Sequence, residues 1–356
     1  MGPILDHGGS LTQAEARFGR PKQPWVDLST GINPWPYPIE QFPDSLWARL
    51  PETSALHDLI EAATSYYGAP DSSHVAAAPG SQALIQLLPS LSSPGRVGVL
   101  EPTYAEHALC RRRAGWETLS LSRLPTPDEI DNNALSTVIV VHPNNPDGRL
   151  FTPEALTALG VAFAERGGLV IVDEAFADVV PTHSVANQVG QDKGLCILRS
   201  FGKFFGLAGA RLGFALTAPT LATQITEALG PWSINGPTLC LGQRALSDYS
   251  WIAATRARLT ESAQALDALL RDCNLNVIGG TSLYRLIKDE RAPKLYERCG
   301  RAGILLRAFS QQPQWLRIGL PKDEHSAKRL SNALKTALDD QKKTSPTSLT
   351  PTIANG

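Results

Sequence analysis

RSFGKFFGLAGARLGFA, residues 199–215, packs three phenylalanines and a run of small residues around Lys203. Lysine is among the side chains least often buried, so its place in an apolar, glycine-rich run asks for a chemical reason. Apolar surroundings lower a lysine pKa, and the neutral amine can then attack a carbonyl. Arg211 follows in the same run.

Working outward from this stretch, short apolar runs alternate with helical patterns. Val97–Leu100, Thr137–Val141, Leu169–Val172 and Leu195–Leu198 each have the length of a buried strand. Ala55–Tyr67 reads as a helix stopped by Gly68. Strands alternating with helices predict an α/β fold with a mostly parallel sheet covered on both faces. In such sheets the functional groups gather at the carboxyl ends of the strands. The order changes near Pro231. Gln243–Arg271 reads as one helix or a helix pair, and NVIGGTSLYRLI, GILLRAF and WLRIGL follow as strand-like segments. The expected organisation is an irregular arm over 1–45 packing on the small domain, a large domain over 46–235, a smaller α+β domain over 236–340 and a disordered tail over 341–356.

The strand ends carry the chemistry. VIVV is followed by His142-Pro-Asn-Asn145-Pro-Asp-Gly148, LVIV by Asp173-Glu-Ala-Phe176, and LCIL by Arg199, Ser200 and Lys203. Earlier, Gly80, Ser81 and Gln82 open a helix. Small residues at a helix start suit a phosphate. An Asp at a strand end can hold a protonated ring nitrogen, an Asn amide can donate to a phenolate oxygen, and the lysine amine can form a Schiff base. Each part alone has an ordinary reading: a turn, a helix cap, a snorkelling lysine. In this order, at successive strand ends, they describe a site for pyridoxal 5′-phosphate.

The same residues resemble the fold-type I pyridoxal-phosphate enzymes, within the class I/II aminotransferases that include histidinol-phosphate aminotransferase. The resemblance runs to Pro321. It implies Asn145 on the cofactor O3′, Asp173 on its ring nitrogen and Lys203 as the covalent anchor. It implies Ser200, Arg211 and the backbone of Gly80, Ser81 and Gln82 on the phosphate. Tyr104, in EPTYAEH, corresponds to the aromatic stacked on the ring face. Phe176 stands where many relatives have a tyrosine, and Leu50-Pro51-Glu52 where many have Tyr-Pro-Asp.

A narrower likeness rests on HGG at 7–9, DLSTGINP at 27–34, GPWSINGP at 230–237, GGTSLYRL at 279–286 and WLRIGLP at 315–321. These are similar to the threonine-phosphate decarboxylase family of cobalamin biosynthesis. That family converts L-threonine O-3-phosphate to (R)-1-amino-2-propanol O-2-phosphate and CO2. The likeness makes Arg307 and Arg317 the leading grips for the substrate's two anions, since guanidinium forks suit both. It implies His7, Ser29, Thr30, Gly31, Asn33 and Asn145 as further substrate contacts. Lys203, Tyr284 or water would protonate Cα. The alternative activity is amino transfer of the histidinol-phosphate type; a transcription regulator would need a DNA-binding module that the Pro-rich first 50 residues do not supply.

Composition agrees with such an enzyme. The 356 residues are 42% hydrophobic and 19% charged with a net charge of −1, which gives no electrostatic reason to expect nucleic acid. Five scattered cysteines without a CxxC pair suit reduced thiols in a cytoplasm rather than a metal site. No basic leader or membrane-length apolar run is evident. A homodimer is expected, because in this fold the active site lies at a subunit interface.

Overall fold

The structure, a computed structural model, describes residues 7–190 and 192–342. The chain divides into two units. The larger comprises Gly31–Gln264 and Gly279–Arg285; the smaller takes the described parts of Met1–Thr30, Ala265–Ile278 and Leu286–Gly356.

After a short strand β1 (Val26–Asp27), the chain forms β2 (Val75–Ala78), β3 (Arg96–Leu100), β4 (Glu117–Leu121) and β5 (Leu135–Val141). Next come β6 (Leu169–Asp173), β7 (Leu195–Ser200) and β8 (Gly213–Thr217). In the larger unit these make a seven-stranded sheet of order β2-β8-β7-β6-β5-β3-β4. Only β8 runs against its neighbours. The ends of β2, β5, β6 and β7 therefore lie on one edge, as the alternation of apolar runs and helices predicts. β7 is buried throughout, and β3, β5 and β6 are buried except for one residue near their starts, which is why they read as continuous apolar runs.

The remaining strands are β9 (Val277–Thr281), β10 (Tyr284–Lys288), β11 (Ile304–Leu305), β12 (Arg307–Phe309) and β13 (Gln312–Gly319). The last four-stranded sheet has the order β12-β13-β10-β9. In the smaller unit β1 pairs in parallel with β11, Val26 opposite Ile304. The helix Leu11–Phe18 sets its Phe18 ring against Gly300 of the helix Ala292–Arg301, where a Cβ would lie only 2.7 Å from the ring.

The division falls elsewhere than the expected boundaries at 45 and 235. Residues from Gly31 belong to the larger unit because Asn33 N donates to Lys203 O (3.0 Å) and Tyr37 N to Phe205 O (2.9 Å). The Gln243–Arg271 stretch is two helices, Gly236–Ser247 and Tyr249–Asp272. Gly236–Ser247 stays with the larger unit because Gly242, lacking a side chain, lets it close on Leu59 and Leu212. Helix Glu324–Lys342 extends past 340; the rest of the tail expected to be disordered lies outside the described residues. Among the described residues no helix is long and apolar enough to cross a membrane.

Candidate active site

Asn145 follows β5, Asp173 ends β6 and Lys203 follows β7, three neighbouring strands of the sheet. Val141 is in register with Asp173, and Asp173 with Leu198. Lys203 lies in the single turn Phe201–Phe204, half-buried, its Nζ 5.6 Å from the centre of the Phe176 ring. The GINP segment holds this turn from outside. Besides the Asn33 N–H on Lys203 O, Asn33 Nδ2 donates to Phe204 O (2.8 Å) and its Oδ1 accepts from Trp35 N (2.9 Å). Asn33 is 2% exposed, so its amide serves backbone that carries Lys203.

Asp173 is buried, and its two oxygens are separately held. Oδ1 accepts from Ala175 N (3.0 Å), and Oδ2 lies 2.8 Å from His107 Nε2. With the carboxylate ionised, Nε2 carries the proton between them. His107, on the helix Glu106–Arg113, is as deeply buried as Asp173 and escaped sequence reasoning. The available signal was its place three residues after Tyr104 in EPTYAEH. The Tyr104 ring stands edge-on to His107 at 6.1 Å, and its hydroxyl donates to Gln82 Oε1 (3.1 Å). Gln82 and Tyr104 thus join the helix Ser81–Leu87 to the Asp173 side of the site.

Gly80 has φ +91° and no Cβ, and a Cβ there would lie 2.7 Å from Arg211 Nη2. The guanidinium therefore lies against the chain just before Ser81. Arg211 itself adopts φ +51°, and its Nη1 donates to Ala208 O (3.1 Å). Ser200, buried at the end of β7, leads into the turn that carries Lys203.

On the remaining side Asn144, next to Asn145, ties its loop down. It accepts from Thr103 Oγ1 (2.6 Å) and donates to Pro102 O (2.9 Å) and Asp147 Oδ1 (2.7 Å). Tyr284, fully buried, donates its hydroxyl to Asn144 O (2.9 Å) and meets Phe176 edge-on at 5.2 Å. Gly31, at φ +63°, sits where a Cβ would be 2.9 Å from the Tyr284 ring. Tyr284 is thus a pillar under Phe176 and the Asn145 loop, its proton directed to a carbonyl.

The other predicted residues belong to the smaller unit. Arg307 and Arg317 stand directly opposite on antiparallel β12 and β13. Arg317, 5% exposed, donates from Nη2 to Ser29 O (2.6 Å). Ser29 Oγ donates to Asp27 Oδ1 (2.6 Å) and accepts from Gly9 N (2.8 Å). This fixes the chain just after His7, which is exposed. Gly9 passes so close to Thr30 that a Cβ would lie 3.1 Å from the Thr30 methyl.

A fold-type I sheet with lysine, aspartate and asparagine at adjacent strand ends defines a class of protein, and comparison with known proteins gives the same one. The family model for aminotransferase class I and II matches residues 25–335. The chain belongs to the aminotransferase class I and II family. It is 45% identical over 332 residues to a threonine-phosphate decarboxylase of Pseudomonas aeruginosa, covering 93% of this chain and 97% of the relative. It is 40% identical to a threonine-phosphate decarboxylase of a Sinorhizobium species, covering 93% and 98%. Its fold is similar to that of the histidinol-phosphate aminotransferase of Sinorhizobium meliloti solved with pyridoxal-5′-phosphate. That match has a TM-score of 0.81 at 17% identity and covers 96% of each chain.

Proposed function

We propose that this chain is a pyridoxal-phosphate enzyme that decarboxylates L-threonine O-3-phosphate to (R)-1-amino-2-propanol O-2-phosphate and CO2, a step of cobalamin biosynthesis. The observation that carries the reading is the placement of Asp173 and Lys203 at the ends of adjacent strands, with Arg211 against Gly80. The two decarboxylase relatives support this substrate and reaction over amino transfer of the histidinol-phosphate type.

The residues fit the cofactor. Asp173 is a buried carboxylate whose oxygens each accept one bond so far, leaving a lone pair for a ring N–H. Ser200, Arg211 and the backbone of Gly80, Ser81 and Gln82 would hold the phosphate, Asn145 would donate to the phenolate oxygen, and Tyr104 and Phe176 would line the ring. Bound there, pyridoxal phosphate supplies the electron sink for the pair left at Cα when its bond to the carboxylate breaks. Lys203 would carry the cofactor, and its amine is the group we assign to return a proton to Cα. Tyr284 is less suited to that role, because its hydroxyl already serves Asn144 O.

Arg307 and Arg317 take the substrate's carboxylate and phosphate. Guanidinium forks suit both anions. His7, Thr30 and Gly31 are further contacts; Ser29 and Asn33 contribute by holding backbone. We further place the enzyme in the cytoplasm as a homodimer.

Product analysis of the purified, cofactor-loaded protein with L-threonine O-3-phosphate tests the reading. CO2 and the amino alcohol phosphate are expected. Transfer of the amino group to 2-oxoglutarate without CO2 would replace it with the aminotransferase.

A further inference from the structure

A second set of charges lies buried in the larger unit, and the chemistry above does not use it. Arg199 is 3% exposed, Glu174 fully buried and Asp178 1% exposed. Arg199 Nη1 donates to Glu174 Oε2 (2.6 Å) and Nη2 to Asp178 Oδ1 (2.6 Å), with the guanidinium 4.4 Å from the centre of the Tyr67 ring. Glu174 also accepts from Ser184 Oγ (2.6 Å) and Val185 N (2.8 Å). Asp178 Oδ1 accepts from the Tyr66 hydroxyl (3.0 Å), and its backbone oxygen accepts from Arg256 Nε (2.7 Å). Burial opposes the charge on Arg199, but Asp178 and Glu174 outweigh it and push its pKa up.

Such a triad is no bargain for stability alone, since apolar residues of similar volume often serve as well. Its position supplies another reason. Glu174 directly follows Asp173, and Arg199 directly precedes Ser200. Successive side chains leave a strand on opposite faces. Asp173 accordingly turns to His107 while Glu174 turns to Arg199. The chain thus carries two adjacent carboxylates at the end of β6, and a slip of one residue would exchange them. The Arg199 fork is the contact that pins Glu174 to the far side, at the level where Glu174 N donates to Leu198 O (2.8 Å).

We infer that Arg199 is a positioning residue: by clamping Glu174 and Asp178 behind the sheet it sets the register of β6 on β7 and so selects Asp173 to face the cofactor. This rests on the assignment of Asp173 and Lys203 to pyridoxal phosphate.

The test compares wild type, R199M, the neutral triple variant R199M/E174Q/D178N and R199K. Four quantities are measured: the melting temperature of the cofactor-free protein, pyridoxal-phosphate affinity by dialysis, the visible absorption maximum of the loaded protein, and kcat with KM. R199M should lose stability through its uncompensated carboxylates. The triple variant should regain at least half of that loss, yet bind the cofactor at least tenfold more weakly. Its absorption maximum should be shifted, and its kcat at least tenfold lower with KM within threefold. R199K, which replaces the two-pronged fork with a single ammonium, should fall between wild type and the triple variant even if R199M fails to fold. A triple variant or R199K with cofactor affinity, spectrum and kcat within twofold of wild type would reduce the triad to a structural ion pair and overturn the inference. Wild type that takes up no cofactor would instead remove the assignment on which it rests.

Discussion

His107 Nε2 and Asp173 Oδ2 lie 2.8 Å apart with both side chains 5% exposed or less. The imidazole fixes which way the carboxylate faces and leaves its remaining lone pairs for a ligand. A buried hydrogen bond to a charged group contributes about 1.5–3 kcal/mol. His107→Phe should therefore lower kcat by roughly tenfold to a hundredfold, and His107→Asn, which can still donate, should recover part of it. Steady-state kinetics check this; a His107→Phe enzyme with unchanged kcat would remove His107 from the machinery.

Lys203 is expected to be the covalent anchor. Borohydride treatment of the loaded protein should fix the cofactor on Lys203, as peptide mass analysis would report. Lys203→Ala should bind the cofactor only reversibly and lose nearly all activity. Label on another lysine would displace the assignment.

The parts of this site that could be read from the chain are those whose chemistry is local. Asn145, Asp173 and Lys203 each follow a short apolar run, and a parallel sheet brings such ends together whatever its other details. The strands of β2 and β4 were not legible, because VAAA and ETLSL lack the β-branched runs that mark a buried strand. His107 with Asp173, and Arg199 with Glu174, are pairs separated by 66 and 25 residues, and no spacing rule reaches across a fold. The helix Gly236–Ser247 packs in the larger unit although it lies past the expected boundary at 235, since a helix that continues the pattern gives no sign of which unit it packs on. Ser29 and Asn33 are expected on the substrate from the sequence; that Ser29 Oγ also accepts from Gly9 N and Asn33 Nδ2 donates to Phe204 O is long-range pairing that no local pattern announces.

Gly80→Ala should weaken cofactor binding through Arg211. The new Cβ would meet Arg211 Nη2 at 2.7 Å in a backbone conformation, φ +91°, that strains alanine. A strained residue of this kind costs on the order of 1–3 kcal/mol. If the loss of affinity passes through the displaced guanidinium, the double variant Gly80→Ala/Arg211→Ala should bind pyridoxal phosphate no more weakly than Arg211→Ala alone. Additive losses in dialysis would mean that Gly80 acts independently.

Stability should depend on His142 at mildly acid pH. Burial pushes its imidazole pKa down. Its Nδ1 accepts from Phe151 N (3.3 Å) and its Nε2 faces His183 O (3.0 Å), an arrangement that suits the neutral ring. Because the folded pKa lies below the unfolded one, the unfolded chain takes up the proton first. The contribution is complete above about pH 6.5 and is lost as pH falls through the folded pKa. The melting temperature of wild type should fall more steeply between about pH 7 and 5 than that of His142→Gln; parallel slopes would count against the linkage.

Arg307 and Arg317, directly opposite on β12 and β13, set the last expectation. Like charges directly opposite across a sheet are unfavourable by themselves, which suits a pair that receives a doubly anionic substrate. Losing one buried charge-assisted contact costs about 2–5 kcal/mol when its partner is left unpaired. Arg307→Ala and Arg317→Ala should each lower kcat/KM for L-threonine O-3-phosphate by at least about tenfold, since 1.36 kcal/mol is one decade. Unphosphorylated threonine separates their tasks. Wild type should strongly prefer the phosphorylated substrate. The variant that has lost the phosphate grip should lose that preference, because its kcat/KM falls for one substrate and hardly for the other. The variant that has lost the carboxylate grip should fall for both and keep the preference. Two variants within twofold of wild type on both substrates would show that the anions are held elsewhere.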